Sequence, residues 1–267
     1  MRAFVLPISF GLCLACGQKL DHPDAAPGCD PAVMHCVISM NPATGAPGGG
    51  NEGGASSDDE VGIFSGDVVA FDDDYFDRGP TFSGGAKVSA TGESGARVSA
   101  DYDGTSFQLA GVLKDPANWF YVVPDVGSGM LPTLMPLDTR SAVAAALTAG
   151  VANSSAVDGI FLASSGSERA LDRAQIVLRV VDEKLRSVSG VTGKVTAEIT
   201  SYRAANSWVG VSAQNVTDDT GMLFFGNVPV GSALSTITVN LSGAATGGVE
   251  VMIVAGAVSL VTAVVSP

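Results

Sequence analysis

From residue 61 onward the chain is a succession of short stretches in which apolar and polar side chains alternate, each stopped by glycine, aspartate or proline. A period of two is what a strand with one buried face requires, because successive side chains point to opposite faces of a sheet. A first series holds GDVVAFDD, AKVSATG, ARVSADYDG, SFQLAGVL and NWFYVVP, at residues 66–73, 86–92, 96–104, 106–113 and 118–124. A second begins at Gln175 with QIVLRVVDE and continues through VTAEITSY, VGVSAQNVTDDTG, MLFFGNVPVG, STITVNL, VEVMIVAG and AVSLVTAVVS. Strands spaced about ten residues apart predict a sandwich or a barrel. The closing run, residues 249–265, is strongly apolar, but Glu250, Gly256, Ser259 and Thr262 interrupt it and β-branched residues dominate. It reads as buried strands rather than as a membrane anchor.

Between the series, residues 137–174 lose the alternation. Residues 140–149 are rich in alanine and predict a helix, with Asp138 or Thr139 able to cap its start and Gly150 able to end it. A second short helix or turn is expected over 157–163. The segment 138–174 therefore reads as a helical connector between two β units, 61–137 and 175–267.

The two series share a local signature. Asp103-Gly104 is followed by Phe107, Leu109, Gly111 and Val112, and Asp219-Thr220-Gly221 by Leu223, Phe225, Asn227, Val228 and Pro229. Gly221 can take the positive φ of a tight turn, and Leu223 and Phe225 then project to one face of the outgoing strand. TDDTGMLFFGNVPVG, residues 217–231, resembles the turn-and-strand segment of carboxypeptidase regulatory-like domains, and MIVAGAVSLVTAVVS, residues 252–266, resembles their closing hairpin. The resemblance implies an all-β protein made of two small Greek-key, transthyretin-like β-sandwiches joined by the short helical connector. It does not imply peptidase activity, since in that family this module is separate from the zinc-bearing catalytic domain, which this chain lacks.

The N-terminus has a different character. Met1-Arg2 and the apolar run 3–14 read as a secretory leader, too short to span a bilayer. Leu14-Ala15-Cys16-Gly17 then resembles the lipobox of bacterial lipoproteins, which implies a signal peptide over 1–15 and an acylated Cys16. Cys13, standing where a lipobox usually has leucine or valine, departs from that pattern. A cleaved, unacylated leader is the alternative. Gly17 lacks the acidic signal that retains some lipoproteins at the inner membrane, which points to the outer membrane. An oxidising compartment favours a Cys29–Cys36 disulfide in GCDPAVMHC, whose small loop contributes on the order of 2 kcal/mol. Together with His22 and His35 these cysteines match no usual zinc spacing. Residues 41–60 are glycine, alanine, serine and acids with little to bury, so 16–60 reads as a flexible tether.

Composition narrows the function further. The chain is 46% hydrophobic but only 6% aromatic and holds 33 glycines, which suits strands and turns over long helices. A net charge of −13 repels nucleic acid. Both histidines lie in the tether, so no Ser-His-Asp triad or His-based zinc hydrolase site can form in the body. Three acidic clusters stand out: Asp72, Asp73 and Asp74 with Asp77; Asp101 with Asp103; and Asp218 with Asp219. Oxygen ligands on one loop suit calcium, and the first cluster is the candidate calcium site; solvated turns are the alternative. Trp119, Phe120, Tyr121 and Trp208 can stack on a sugar or peptide, or simply alternate in strands. The expectation is a non-enzymatic, lipid-anchored envelope protein that binds or scaffolds an unidentified protein or glycan. A calcium-dependent or carbohydrate-binding adhesion module and an unrecognised hydrolase are the other readings.

Overall fold

The computed structural model describes residues 37–39 (backbone), 60–71, 73, 76–92, 95–115, 117–140, 147–204, 207–211, 216–231 and 234–265. The fold is all-β, with one helix among the described residues. A short β1 (Val37–Ser39) precedes the first series, β2 (Val61–Phe71), β3 (Ala86–Thr91), β4 (Arg97–Tyr102), β5 (Phe107–Leu113) and β6 (Asn118–Pro124). Then come β7 (Met130–Leu131), β8 (Thr133–Leu137), β9 (Leu147–Asn153) and α1 (Ser154–Ser164). The second series is β10 (Ala174–Asp182), β11 (Val191–Lys194), β12 (Ile199–Ala204), β13 (Ser207–Gly210), β14 (Met222–Val228), β15 (Ser235–Gly243), β16 (Gly247–Ile253) and β17 (Val258–Val265).

Among the described residues three sheets are formed. The largest runs β13-β12-β14-β10-β17-β8-β6-β3-β4, with β1 added beside β17; the others are β11-β15-β16 and β5-β2-β9-β7. Strands of both series thus lie in one sheet, joined where Val258 and Ser259 pair with Thr133 and Leu134. At the centre β10 and β17 run parallel over eight residue pairs. Both faces of these strands are covered. Ile176, Leu178, Val180, Val261 and Ala263 pack with Val239, Val249 and Val251 of the three-stranded sheet. On the opposite face Val177 and Leu260 join a larger core with Phe71, Phe120, Val151 and Phe161. Burial on two faces removes the need for polar alternation, so β17 reads as a nearly unbroken apolar run.

Three expectations change. The tether 16–60 is not wholly outside the sheet: β1 pairs Val37, Ile38 and Ser39 with Thr262, Ala263 and Val264, beyond the point where β8 ends. The helix expected over 140–149 is contradicted by β9, which starts at Leu147 and lies parallel to β2; residues 141–146 fall outside the described residues. Burial outweighs alanine's helix propensity there, because Ala149, Val151 and Ala152 are fully enclosed between layers. Gly150 does not end a helix either. It sits in β9 where a β-carbon would collide with the Phe71 ring. Finally, VGVSAQNVTDDTG is no continuous strand: only 209–210 belong to β13, and 216–221 form a turn leading into β14.

The second helical expectation, 157–163, is realised as α1. Asn153 caps it, its side-chain oxygen accepting from the Ser155 N–H at 2.8 Å. Val157, Ile160 and Phe161 form its buried face. Phe161 meets Phe224 edge to face with 5.4 Å between ring centroids, which fixes the connector onto the second series.

Candidate functional site

Cys16, Cys29, Cys36, Asp72 and Asp74 lie outside the described residues, as do both histidines. Of the acidic clusters, Asp73, Asp77, Asp103 and Asp218 are engaged in hydrogen bonds or an ion pair within the fold. Asp77 forms an ion pair with Arg179 of β10 at 3.0 Å, and Asp73 accepts from the Asp77 N–H at 3.3 Å. Among the described residues no three metal-ligating side chains gather. Asp103 accepts from the Thr105 hydroxyl at 2.6 Å, the Thr105 N–H at 3.0 Å and the Ser106 N–H at 3.2 Å. Asp218 repeats this on the Thr220 hydroxyl at 2.6 Å and N–H at 2.9 Å. Both turns open directly onto strands, β5 and β14, and in both an aspartate two residues before a threonine closes the turn; in the second series that aspartate is Asp218 and not the Asp219 of the shared signature.

These bonds depress the Asp103 carboxyl below its ordinary value of 3.8, the Thr105 hydroxyl contributing most and the backbone N–H groups of Ser106 and Thr105 next. A folded-state pKa below the unfolded one stabilises the fold above the unfolded pKa, and that stabilisation is lost as pH falls through the folded value. Thr105→Val should therefore move the Asp103 titration, followed by NMR, back up toward 3.8. An unchanged midpoint would assign the depression to the backbone donors alone.

The aromatic candidates are divided by the pleat. Phe120 is fully buried, whereas Trp119 is half-buried against the core beneath the three-stranded sheet and the Tyr121 ring lies 6.0 Å from the Arg97 guanidinium. Trp208 is buried against Phe224, with 6.0 Å between rings, and the Arg203 guanidinium lies 5.8 Å from its ring. Phe120 and Trp208 are thus enclosed, while Trp119 and Tyr121 are partly exposed on one face of β6.

A cleft of about 470 Å³ lies elsewhere, where β11 leaves the three-stranded sheet. β11 pairs with β15 only from Asn240 to Gly243, and at Lys194 the chain turns away toward β12. β15 continues to Ser235, held on its other side by β16. Residues 236–239 therefore have no strand beside them on the β11 side, among the described residues. Val195, Val228, Pro229 and Ile237 give the cleft an apolar lining, and Lys194 is its one charged side chain. Lys194 is exposed and forms no ion pair among the described residues.

A second cleft, of about 480 Å³, lies at one end of β3, β4 and β6 and carries Lys87, Asp101 and Asp125. Lys87 stands directly across from Asp101 on neighbouring strands, and Asp125 donates its N–H to the Gly85 carbonyl at 2.9 Å. It offers charged side chains, whereas the first cleft offers backbone. Sequence reading missed the first cleft because it depends on where β11 stops, which Lys194 does not announce. One signal was present in STITVNL: an edge strand usually carries charge or proline, as β4 does with Arg97 and Asp101, yet 235–239 carries neither.

No protein-family model matches the chain, and no characterised protein matches it in sequence. Among solved structures, a streptococcal ancillary pilin aligns with 77% of this chain and 69% of its own at 13% identity, with a TM-score of 0.25. The Bacillus anthracis TIE protein aligns with 76% of this chain and 34% of its own at 10% identity, with a TM-score of 0.21.

Proposed function

We propose that this protein is exported to a bacterial envelope, held at the outer membrane by acyl chains on Cys16, and that its β-sandwich body is a non-catalytic binding or scaffolding module. The observation that carries the binding reading is the cleft beside β15, where an unpaired strand edge, an apolar lining and one lysine come together. Backbone hydrogen-bonding groups beside an apolar groove are suited to holding a partner. Hydrolysis needs a nucleophile and base, or two opposed carboxyls, and this lining holds one charged group, a cation.

The anchoring half of the reading rests on residues 1–17. One acyl chain binds a membrane only marginally, at about 0.8 kcal/mol per buried methylene, so stable anchoring needs more than one chain on the mature N-terminus. Cys16→Ser should move the protein from the detergent-extracted membrane fraction to the soluble fraction, while Cys13→Ser leaves it in place. Unchanged partition of Cys16→Ser, or no incorporation of labelled fatty acid into the wild-type chain, would remove the lipid anchor. Partners crosslinked in native membranes and recovered with the wild-type chain test the binding half; the reading predicts stoichiometric recovery of at least one.

A further inference from the structure

We infer that the open edge of β15 is a strand-addition site for the free C-terminus of an extended peptide, with Lys194 receiving its terminal carboxylate. The inference rests on the binding-module reading and specifies its ligand. Among the described residues, 236–239 have a strand on one side only, so the groups they present to the cleft are ladder donors and acceptors, which an extended backbone satisfies in register. This stretch is β-branched and uncharged, without the charge or proline that shields β4 at the edge of the large sheet. An unshielded edge beside a cleft is an accessible template.

The polarity of the guest follows from β11. That strand already occupies the same row alongside Asn240 to Gly243, so a chain laid along 236–239 meets the end of β11 and must stop or turn at Lys194. A chain terminus stops there without turning. The Lys194 ammonium attracts a C-terminal carboxylate and repels an N-terminal ammonium. With its C-terminus at that end, the guest runs parallel to β15, and alternate side chains fall over Val228, Pro229 and Ile237. A second copy of this chain is the weaker occupant, because two chains of net charge −13 repel each other.

The test uses the full-length chain in detergent and a seven-residue peptide of alternating valine and threonine, labelled at its N-terminus and ending in a free valine carboxylate. Fluorescence polarisation should show the acid binding about tenfold more tightly than its C-terminal amide, with Lys194→Gln erasing that ratio. Of the two peptides N-methylated on alternate amides, one should lose binding and the other keep it, since only every second N–H faces the ladder. Hydrogen exchange should slow at amides within 236–239 when the peptide is added. Equal binding of acid and amide, equal loss with both methylated peptides, or protection outside this stretch would overturn the inference. So would protection of 236–239 without peptide accompanied by dimerisation, which would assign the edge to a second copy. A partner recovered from native membranes as well by Lys194→Gln as by wild type would overturn this site while leaving the binding module standing.

Discussion

Gly221→Ala is expected to lower the stability of the body by about 3 kcal/mol or more, out of the 5–15 kcal/mol typical of a folded domain. Gly221 sits at φ 67°, where an alanine loses roughly 1–2 kcal/mol relative to right-handed backbone. The larger cost is steric. A β-carbon there would press on the Val180 carbonyl oxygen, a backbone atom of β10 that cannot rotate aside. The same glycine accepts the Val180 N–H at 2.8 Å and donates to the Asp218 carbonyl at 3.2 Å, so backing away breaks the contacts that hold the turn to the central sheet. Gly127→Ala is the matched control. Its φ is 85° but nothing lies near its β-carbon position, so it should cost only the conformational part, about 1 kcal/mol. Urea unfolding of the two variants separates the effects, and equal losses would show that close packing on β10 is not what Gly221 provides.

Asn227→Ala should cost about 3–5 kcal/mol, for a different reason. Asn227 is buried near the end of β14 with φ 54°. Its side-chain oxygen accepts the Ala170 N–H at 2.9 Å, and its amide nitrogen donates to the Glu168 carbonyl at 3.1 Å and the Glu198 carboxylate at 2.9 Å. Its own N–H donates to the Gln175 side chain at 2.8 Å. One side chain thus ties the segment after α1 to the start of β12, and removing it leaves buried groups without partners at roughly 1–3 kcal/mol each. Asn227→Gly keeps the backbone comfortable but loses the same bonds, so it should recover only the strain, about 1 kcal/mol. Recovery of most of the loss by glycine would reassign the role of Asn227 to backbone conformation.

These two residues mark where sequence reading was strong and where it stopped. Gly221 was legible because the Asp-Thr-Gly turn between alternating runs demands a positive φ, and the structure has one. Asn227 was legible as part of a pattern but not as a tether for residues 168–170, since its partners lie nearly sixty positions away. Lys194 stands in the same position: its chemistry is plain from its type, and its setting is decided by the point at which β11 leaves β15. The acidic pairs carry a related lesson. Asp103 and Asp218 drew attention as charge, yet the described geometry uses them as hydrogen-bond acceptors for their own turns.

The sequence by itself determined the all-β character, most strands of both series, the short helix at 157–163 and the strand nature of 249–265. Each is written locally, in period-two alternation, β-branched composition or turn residues, and local steric preferences act before any distant contact forms. Only the tertiary structure decided that β9 is a strand, that β8 pairs despite the flanking Pro132 and the internal Pro136, that β1 adds to β17, and that strands of both series share one sheet. For β8 and β9 local propensity is opposed and burial decides, since a buried Val, Leu or Phe side chain contributes about 1.5–3 kcal/mol against a few tenths for helix preference; the pairing of β1 and the joining of the two series are contacts between segments distant in sequence, which no local pattern records. Which strand edges are closed and which remain open is likewise a property of the assembled sheets, and the open edge of β15 is where the function proposed for this protein resides.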